Sequence, residues 1–248
     1  MMVIALIILQ HSAFAKSDPS ILVFSKTKGY RHASIEEGKK AIMELGHLNH
    51  YTVDTTENAA MFTERNLKKY AAVIFLSTTG DVLNDAQQSA FERYIQAGGG
   101  FVGIHAATDT EYDWPWYGKL VGAYFVSHPK VQEAKFVIRD RKHPSTKFLT
   151  DSVWMHTDEL YNFKNMNPDL KVLITIDESS YQGGTNGNFH PFSWYHDFDG
   201  GRAFYTSMGH TKECWVDQKF LMHLNGGVQY AIGKHKKLNY RKAKSKLL

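Results

Sequence analysis

The sequence predicts an α/β protein, a mostly parallel sheet with helices on its faces, extended by a β-rich second half. Three observations carry that prediction. Apolar, β-rich runs alternate with amphipathic stretches through the first half, as strands joined by crossover helices should. The second half crowds the strand-like runs "KFVIRD", "VWMHTDELYNF", "KVLITID", "HPFSWYHDF" and "GRAFYTS" too closely for a helix between each pair, which points to antiparallel pairing. A chain of 248 residues that is 43% hydrophobic is long enough to bury one large core.

The elements follow in order. "MMVIALIILQHSAFA" (1–15) joins an apolar run to Ala13-Phe14-Ala15, the small-x-small form of a secretory cleavage site. No basic residue precedes the run, but "ILVFSKT" (21–27) supplies a first buried strand just downstream, so residues 1–15 read as a signal peptide. The mature domain is then 16–233, expected in the periplasm or outside the cell. Ser34 with Glu37 has the form of a capping box, and Ile35, Ala41, Ile42 and Leu45 give its helix an apolar face. "YTVDTT" (51–56) alternates as a second strand, and "AAVIFLST" (71–78) is apolar enough to be central. Asn84 with Gln87 opens a helix through Ala90, Phe91, Tyr94 and Ile95 that Gly98 ends. "GFVGIHAA" is the fourth strand, and a final amphipathic helix covers roughly 216–232. No apolar run reaches the roughly 18–20 residues that span a bilayer.

The net charge of +4 is misleading, because residues 234–248, "KHKKLNYRKAKSKLL", hold seven Lys and Arg and no acid. The remainder carries 22 basic against 25 acidic residues, so nucleic acid is not an expected partner. The tail reads as a solvated, frayed terminus. With one cysteine, Cys214, there is no intramolecular disulfide and no C-x-x-C site. The glycine fingerprints of nicotinamide and P-loop sites are absent as well.

Ligands of open parallel sheets collect beyond the carboxyl ends of the strands. Three polar loops follow apolar strands: "KGYRHAS", "TTGDVLND" and "HAATDTEYDW". His105 and Asp109 therefore face one edge, with His32 from a neighbouring loop. "EYDWPWYGKLVGAYF" (111–125) is either a core cover or an aromatic wall for a sugar ring, with Trp114 and Trp116 as its platform. "HTDELYNF" groups His156, Asp158, Glu159 and Tyr161, and the following segments add His190, Trp194, His196 and His210. Imidazoles with carboxylates suit acid–base chemistry. They also suit a divalent metal, the one cofactor left open, although no H-E-x-x-H or similar spacing occurs. "SYQGGTNGNFHP" (180–191) reads as a long turn.

On these residues the chain resembles the ThuA-like, or trehalose-utilisation, family. The resemblance rests on "TKGYRHASIEEG", "GGGFVGIHAATDTEYDWPWYGKLVGAYF", "HPK", "HTDELYNF", "YQGGTNGNFHPFSWYHDFDGGRAFYTSMGHT" and "FLMHLNGGVQYAIG", in order over 20–233. It implies a flavodoxin-like, class I glutamine amidotransferase-like three-layer α/β/α sandwich. Where amidotransferases carry a cysteine elbow, this chain reads Gly103-Ile104-His105-Ala106-Ala107. Glutamine hydrolysis through a thiolate is thus not expected.

The resemblance implies instead that this protein, expected from its N-terminus to be exported, acts on a disaccharide or 3-keto-glycoside by His and carboxylate chemistry. The alternatives are a non-catalytic carbohydrate-binding module and a metal-dependent hydrolase. The expected catalytic set is His32, His105, Asp109, Glu159 and His210. His105 or Glu159 is the base, His32 or His210 stabilises the enolate oxygen or donates a proton, and Asp109 orients an imidazole. Tyr30, Trp114, Trp116, Tyr161, His190 and Trp194 are the expected substrate-binding set. The expected partner is a small carbohydrate, with a homo-oligomer left open.

Overall fold

The computed structural model describes residues 18–234 and 237–247, so the expected signal peptide lies outside the described residues. The first half is strand, helix, strand as the apolar periodicity requires. β1 (Ser20–Phe24) leads into α1 (Ile35–Asn49), β2 (Thr52–Thr56) and the short α2 (Glu64–Leu67). β3 (Ala72–Leu76), α3 (Asp85–Gln96), β4 (Gly100–Ile104) and α4 (Pro115–Val121) follow.

The second half supplies β5 (Tyr124–Ser127), β6 (Gln132–Ile138), β7 (Val153–Asp158), β8 (Asn162–Lys164) and β9 (Lys171–Ile176). β10 (His190–Phe198), β11 (Gly201–Thr206) and α5 (Gln218–Ile232) complete it. Among the described residues no helix is long and apolar enough to cross a membrane.

One sheet takes nine strands in the order β2-β1-β3-β4-β11-β10-β9-β6-β7, and β5 pairs with β8 in a separate ribbon. β2 through β11 run parallel, and from β11 outward every pairing is antiparallel. Four antiparallel steps restore direction, so β7 points the same way as β11. Alternation along β4 divides the helix layers. Phe101 meets Phe91 of α3 and Tyr117 of α4, whereas Gly100 abuts Ala231 of α5. α5 lies so close to the sheet that a Cβ on Gly227 would fall 2.3 Å from the Phe204 ring.

Two details differ from the sequence reading. Asn84 and Gln87 do form a reciprocal capping box, but Ser34 makes no side-chain cap; its hydroxyl donates to the Gly209 carbonyl across the fold. The described part of the basic tail is docked rather than frayed. Gln96 accepts the backbone N–H groups of Lys244 and Ser245, and Arg93 donates to the Ser245 carbonyl. The tail's charges gave no sign of this, because its backbone makes the contacts.

His223 of α5 is fully buried between the Ser145 carbonyl and the Ser193 hydroxyl. Burial lowers its pKa to about 3. The unfolded chain therefore binds the proton more readily below about pH 6.5, and stability falls as pH drops from there towards 3. A His223→Gln variant should show an acid slope shallower by up to about 1.4 kcal/mol per pH unit in urea titrations. An unchanged slope would refute this. Gly227→Ala should lower stability by about 1–3 kcal/mol through overpacking against Phe204, read from its denaturation midpoint.

Candidate functional site

His105 begins the turn after β4 with φ of 50°, a left-handed backbone that non-glycine residues rarely hold without support. The support is visible. The Tyr205 hydroxyl donates to the His105 carbonyl at 2.8 Å, and His105 Nδ1 lies 2.8 Å from the Ser207 carbonyl. A carbonyl only accepts, so Nδ1 carries a proton and the neutral ring presents a bare Nε2.

That Nε2 is crowded by other potential ligands. His32 Nε2, from the loop after β1, and His210 Nδ1, from the loop after β11, each lie 3.2 Å away. Glu159 Oε2, directly after β7, lies 3.4 Å from His105 Nε2 and 3.1 Å from His210 Nδ1. β7 is four strands from β11, so the antiparallel half must curl back over the edge to bring Glu159 here. The four donor atoms all lie within 4.8 Å of one another. Donors about 2.0–2.2 Å from one tetrahedral ion would sit about 3.3–3.6 Å apart. The residues therefore fit a divalent cation.

The electrostatics agree with that crowding. Burial, and next the neighbouring imidazoles, press the His32 pKa down to about 3. Burial opposes ionisation of Glu159, yet His105 and His210 outweigh it and hold the carboxyl well below its usual range. His210 is also partly desolvated, but Glu159 raises its pKa. His32 Nδ1 has no hydrogen-bond partner in the protein.

Around this cluster stand two groups that the sequence reading did not single out, His128 and Phe125, together with the expected Tyr161. His128, after β5, places Nδ1 2.9 Å from Glu159 Oε1 and keeps 42% of its side chain exposed. Phe125 and Tyr161 have ring centroids 4.3 Å apart, and Tyr161 lies equally close to the His105 ring. "HPK" marked His128 only as part of the resemblance, since nothing in its spacing ties it to Glu159, 31 positions onward.

The structure brings His32, His105, Glu159 and His210 together, with Tyr161 and the exposed Tyr30 beside them. Asp109 does not orient an imidazole; it accepts from the Tyr112 hydroxyl at 2.7 Å, and a backbone carbonyl orients His105 instead. Trp114 and Trp116 are no sugar platform. They stack on each other and donate to Glu92 and Asp199, covering α3. Trp194 is fully buried, donating to the Val121 carbonyl. Buried His190 braces the Tyr161 carbonyl from behind and meets Glu178 on its other nitrogen. An apolar ring with one polar tip serves a core as well as a sugar, and burial decides which.

A cavity of about 630 Å³ lies at the opposite edge near Gly98, Arg202 and Lys242 and contains none of the cluster. Beside the buried His32, His105 and Glu159, the side chains of His128, His210 and Tyr30 keep part of their surface exposed. Trp194→Ala should therefore cost about 3–5 kcal/mol of stability and leave ligand or metal affinity of the folded fraction unchanged. A selective loss of affinity, measured by calorimetry, would return Trp194 to the site.

The fold has close counterparts. A ThuA-like protein from Bacteroides uniformis ATCC 8492 superposes with a TM-score of 0.77 at 24% identity, covering 93% of this chain and 98% of that one. Another from Parabacteroides merdae ATCC 43184 gives 0.70 at 18% identity, covering 92% and 100%. A β-galactosidase from Bacillus circulans sp. alkalophilus gives 0.56 at 13% identity, covering 94% of this chain but 32% of its own. At these identities the likeness is one of fold. No curated protein gives a significant sequence match. The ThuA family profile, described as trehalose utilisation, matches residues 20–231, and the chain belongs to the ThuA family.

Proposed function

We propose that this chain is a sugar-processing enzyme centred on a divalent cation held by His32, His105, His210 and Glu159. The observation that carries the reading is the convergence of three imidazole nitrogens and one carboxylate oxygen on the bare Nε2 of His105. Hydrogen bonding alone leaves that nitrogen with more neighbours than it can accept from. The family's description as trehalose utilisation supports a carbohydrate substrate. A disaccharide or 3-keto-glycoside is the class we favour.

A bound cation there would act as a Lewis acid on a sugar oxygen. The chain's own groups divide the remaining work. Buried His105 and doubly engaged Glu159 are poorly placed as bases. His128 is better placed, because Nδ1 faces two acceptors, Glu159 Oε1 and the Pro129 carbonyl. Its proton therefore sits on Nδ1, and Nε2 is free to take one from the carbon beside a sugar carbonyl. The electron pair then moves onto the carbonyl oxygen. Exposed Tyr30 and Tyr112 rim the site, where sugar C–H faces could rest on aromatic rings.

A second reading has its own observation. The His210–Glu159 contact, with His210 pushed towards its charged form, is also the geometry of a metal-free acid–base pair. We further propose export, on the Ala13-Phe14-Ala15 pattern alone; a mature N-terminus at Lys16 in the exported fraction would support it.

The test incubates the purified chain with trehalose, other glucosides and their 3-keto derivatives, followed by mass spectrometry. Consumption of one compound should stop on metal stripping and return on adding a divalent ion. His128→Gln should cut turnover by about 10²–10⁴-fold while retaining metal. Turnover that survives complete stripping would favour the metal-free pair. A ligand that stabilises the protein but is never consumed, with any metal, would make it a binding module.

A further inference from the structure

A second set of potential metal ligands lies beneath the loop that carries His210, and the proposed reaction makes no use of it. His156 and Asp158 are alternate residues of β7 and share a face. Cys214 comes from the 3₁₀ turn ahead of α5. Its Sγ lies 3.5 Å from His156 Nε2 and 3.2 Å from Asp158 Oδ2, and the last two atoms are 3.8 Å apart. All three residues are buried.

Nitrogen, oxygen and sulfur donors therefore converge on one buried space. Asp217 Oδ2 lies 3.4 Å from His156 Nδ1 and holds a ring proton there; despite burial, Asp158 and Asp217 favour the charged ring, so Nε2 is the atom whose proton a metal would displace. Asp158 Oδ2 already accepts the Gly209 N–H at 2.7 Å. The Cys214 thiol donates to Asp158 Oδ2, and Nε2 and Oδ2 stand beyond hydrogen-bond reach of each other.

We propose that His156 Nε2, Cys214 Sγ and Asp158 Oδ2 ligate a second divalent ion, of the zinc type, separate from the cation of the His105 cluster. Sulfur and nitrogen donors at about 2.0–2.3 Å from a tetrahedral zinc stand about 3.3–3.6 Å apart, close to the separations found. Thiolate with imidazole selects zinc over magnesium or calcium. Asp217 is the outer carboxylate that fixes a ligating histidine, and Thr211 Oγ1, 3.2 Å from the sulfur, is the candidate fourth donor. As the sulfur–metal and nitrogen–metal bonds form, the thiol proton and the proton on His156 Nε2 leave to solvent. The ion would tie β7 to the turn before α5. Through the Asp158–Gly209 contact it would also brace the loop presenting His210.

The test is the electronic spectrum of the full chain produced with Co²⁺ in place of zinc. A thiolate-to-cobalt charge-transfer band is expected, and it can come only from Cys214, the sequence's single cysteine. Cys214→Ser should abolish the band and lower the metal content by one equivalent, whereas His105→Ala should leave the band in place. A cobalt-loaded wild type without the band, or a band that survives Cys214→Ser, overturns the proposal. Should Cys214→Ser not fold, the wild-type spectrum decides by itself. Failure of the catalytic reading would not alter the band, so the two proposals fail separately.

Discussion

The arrangement at the sheet edge depends on how His105 is held. Its left-handed backbone turns the chain sharply out of β4, and the Ser207 carbonyl clamps one ring nitrogen so that the other must face His32, His210 and Glu159. Two adjacent parallel strands make the clamp possible, because Thr206 pairs with Ile104 and the two chains leave the sheet side by side. Pre-organisation of this sort places lone pairs before any ligand arrives, and the fold bears its cost in backbone strain and buried polar atoms.

The end of β7 serves both clusters. Asp158 turns towards Cys214, His156 and the Gly209 N–H, and the next residue, Glu159, turns towards His105 and His210. Successive side chains in extended backbone point to opposite sides, so one strand end can feed two neighbouring sites. Asp158 also accepts the backbone N–H of Glu159, which joins the two carboxylates mechanically. The curl of the antiparallel half makes this geometry possible.

Elements were legible where local patterning and burial agree. The apolar runs of β1, β3 and β4 are buried along almost their whole length, as strands covered on both faces must be. The Asn84 capping box was equally plain, being a contact between residues three apart. Ser34 had the same signature, yet its hydroxyl answers to Gly209, 175 positions away. Among aromatic residues the pattern was least informative. Trp114, Trp116 and Trp194 were candidates for substrate binding, but their indole N–H groups are spent on Glu92, Asp199 and a carbonyl within the fold.

By itself the sequence determined the α/β order, the antiparallel second half and the candidacy of His32, His105, Glu159 and His210. Those features are set by local periodicity and residue chemistry. Tertiary structure alone decided that these four share one point, that His128 joins them, and that Cys214 lies against His156 and Asp158. It also decided that Asp109 and the tryptophans look elsewhere. The reason is that chain separation carries no distance: β7 and the loop after β11 meet only because antiparallel strands pair, twist and curl back over the edge.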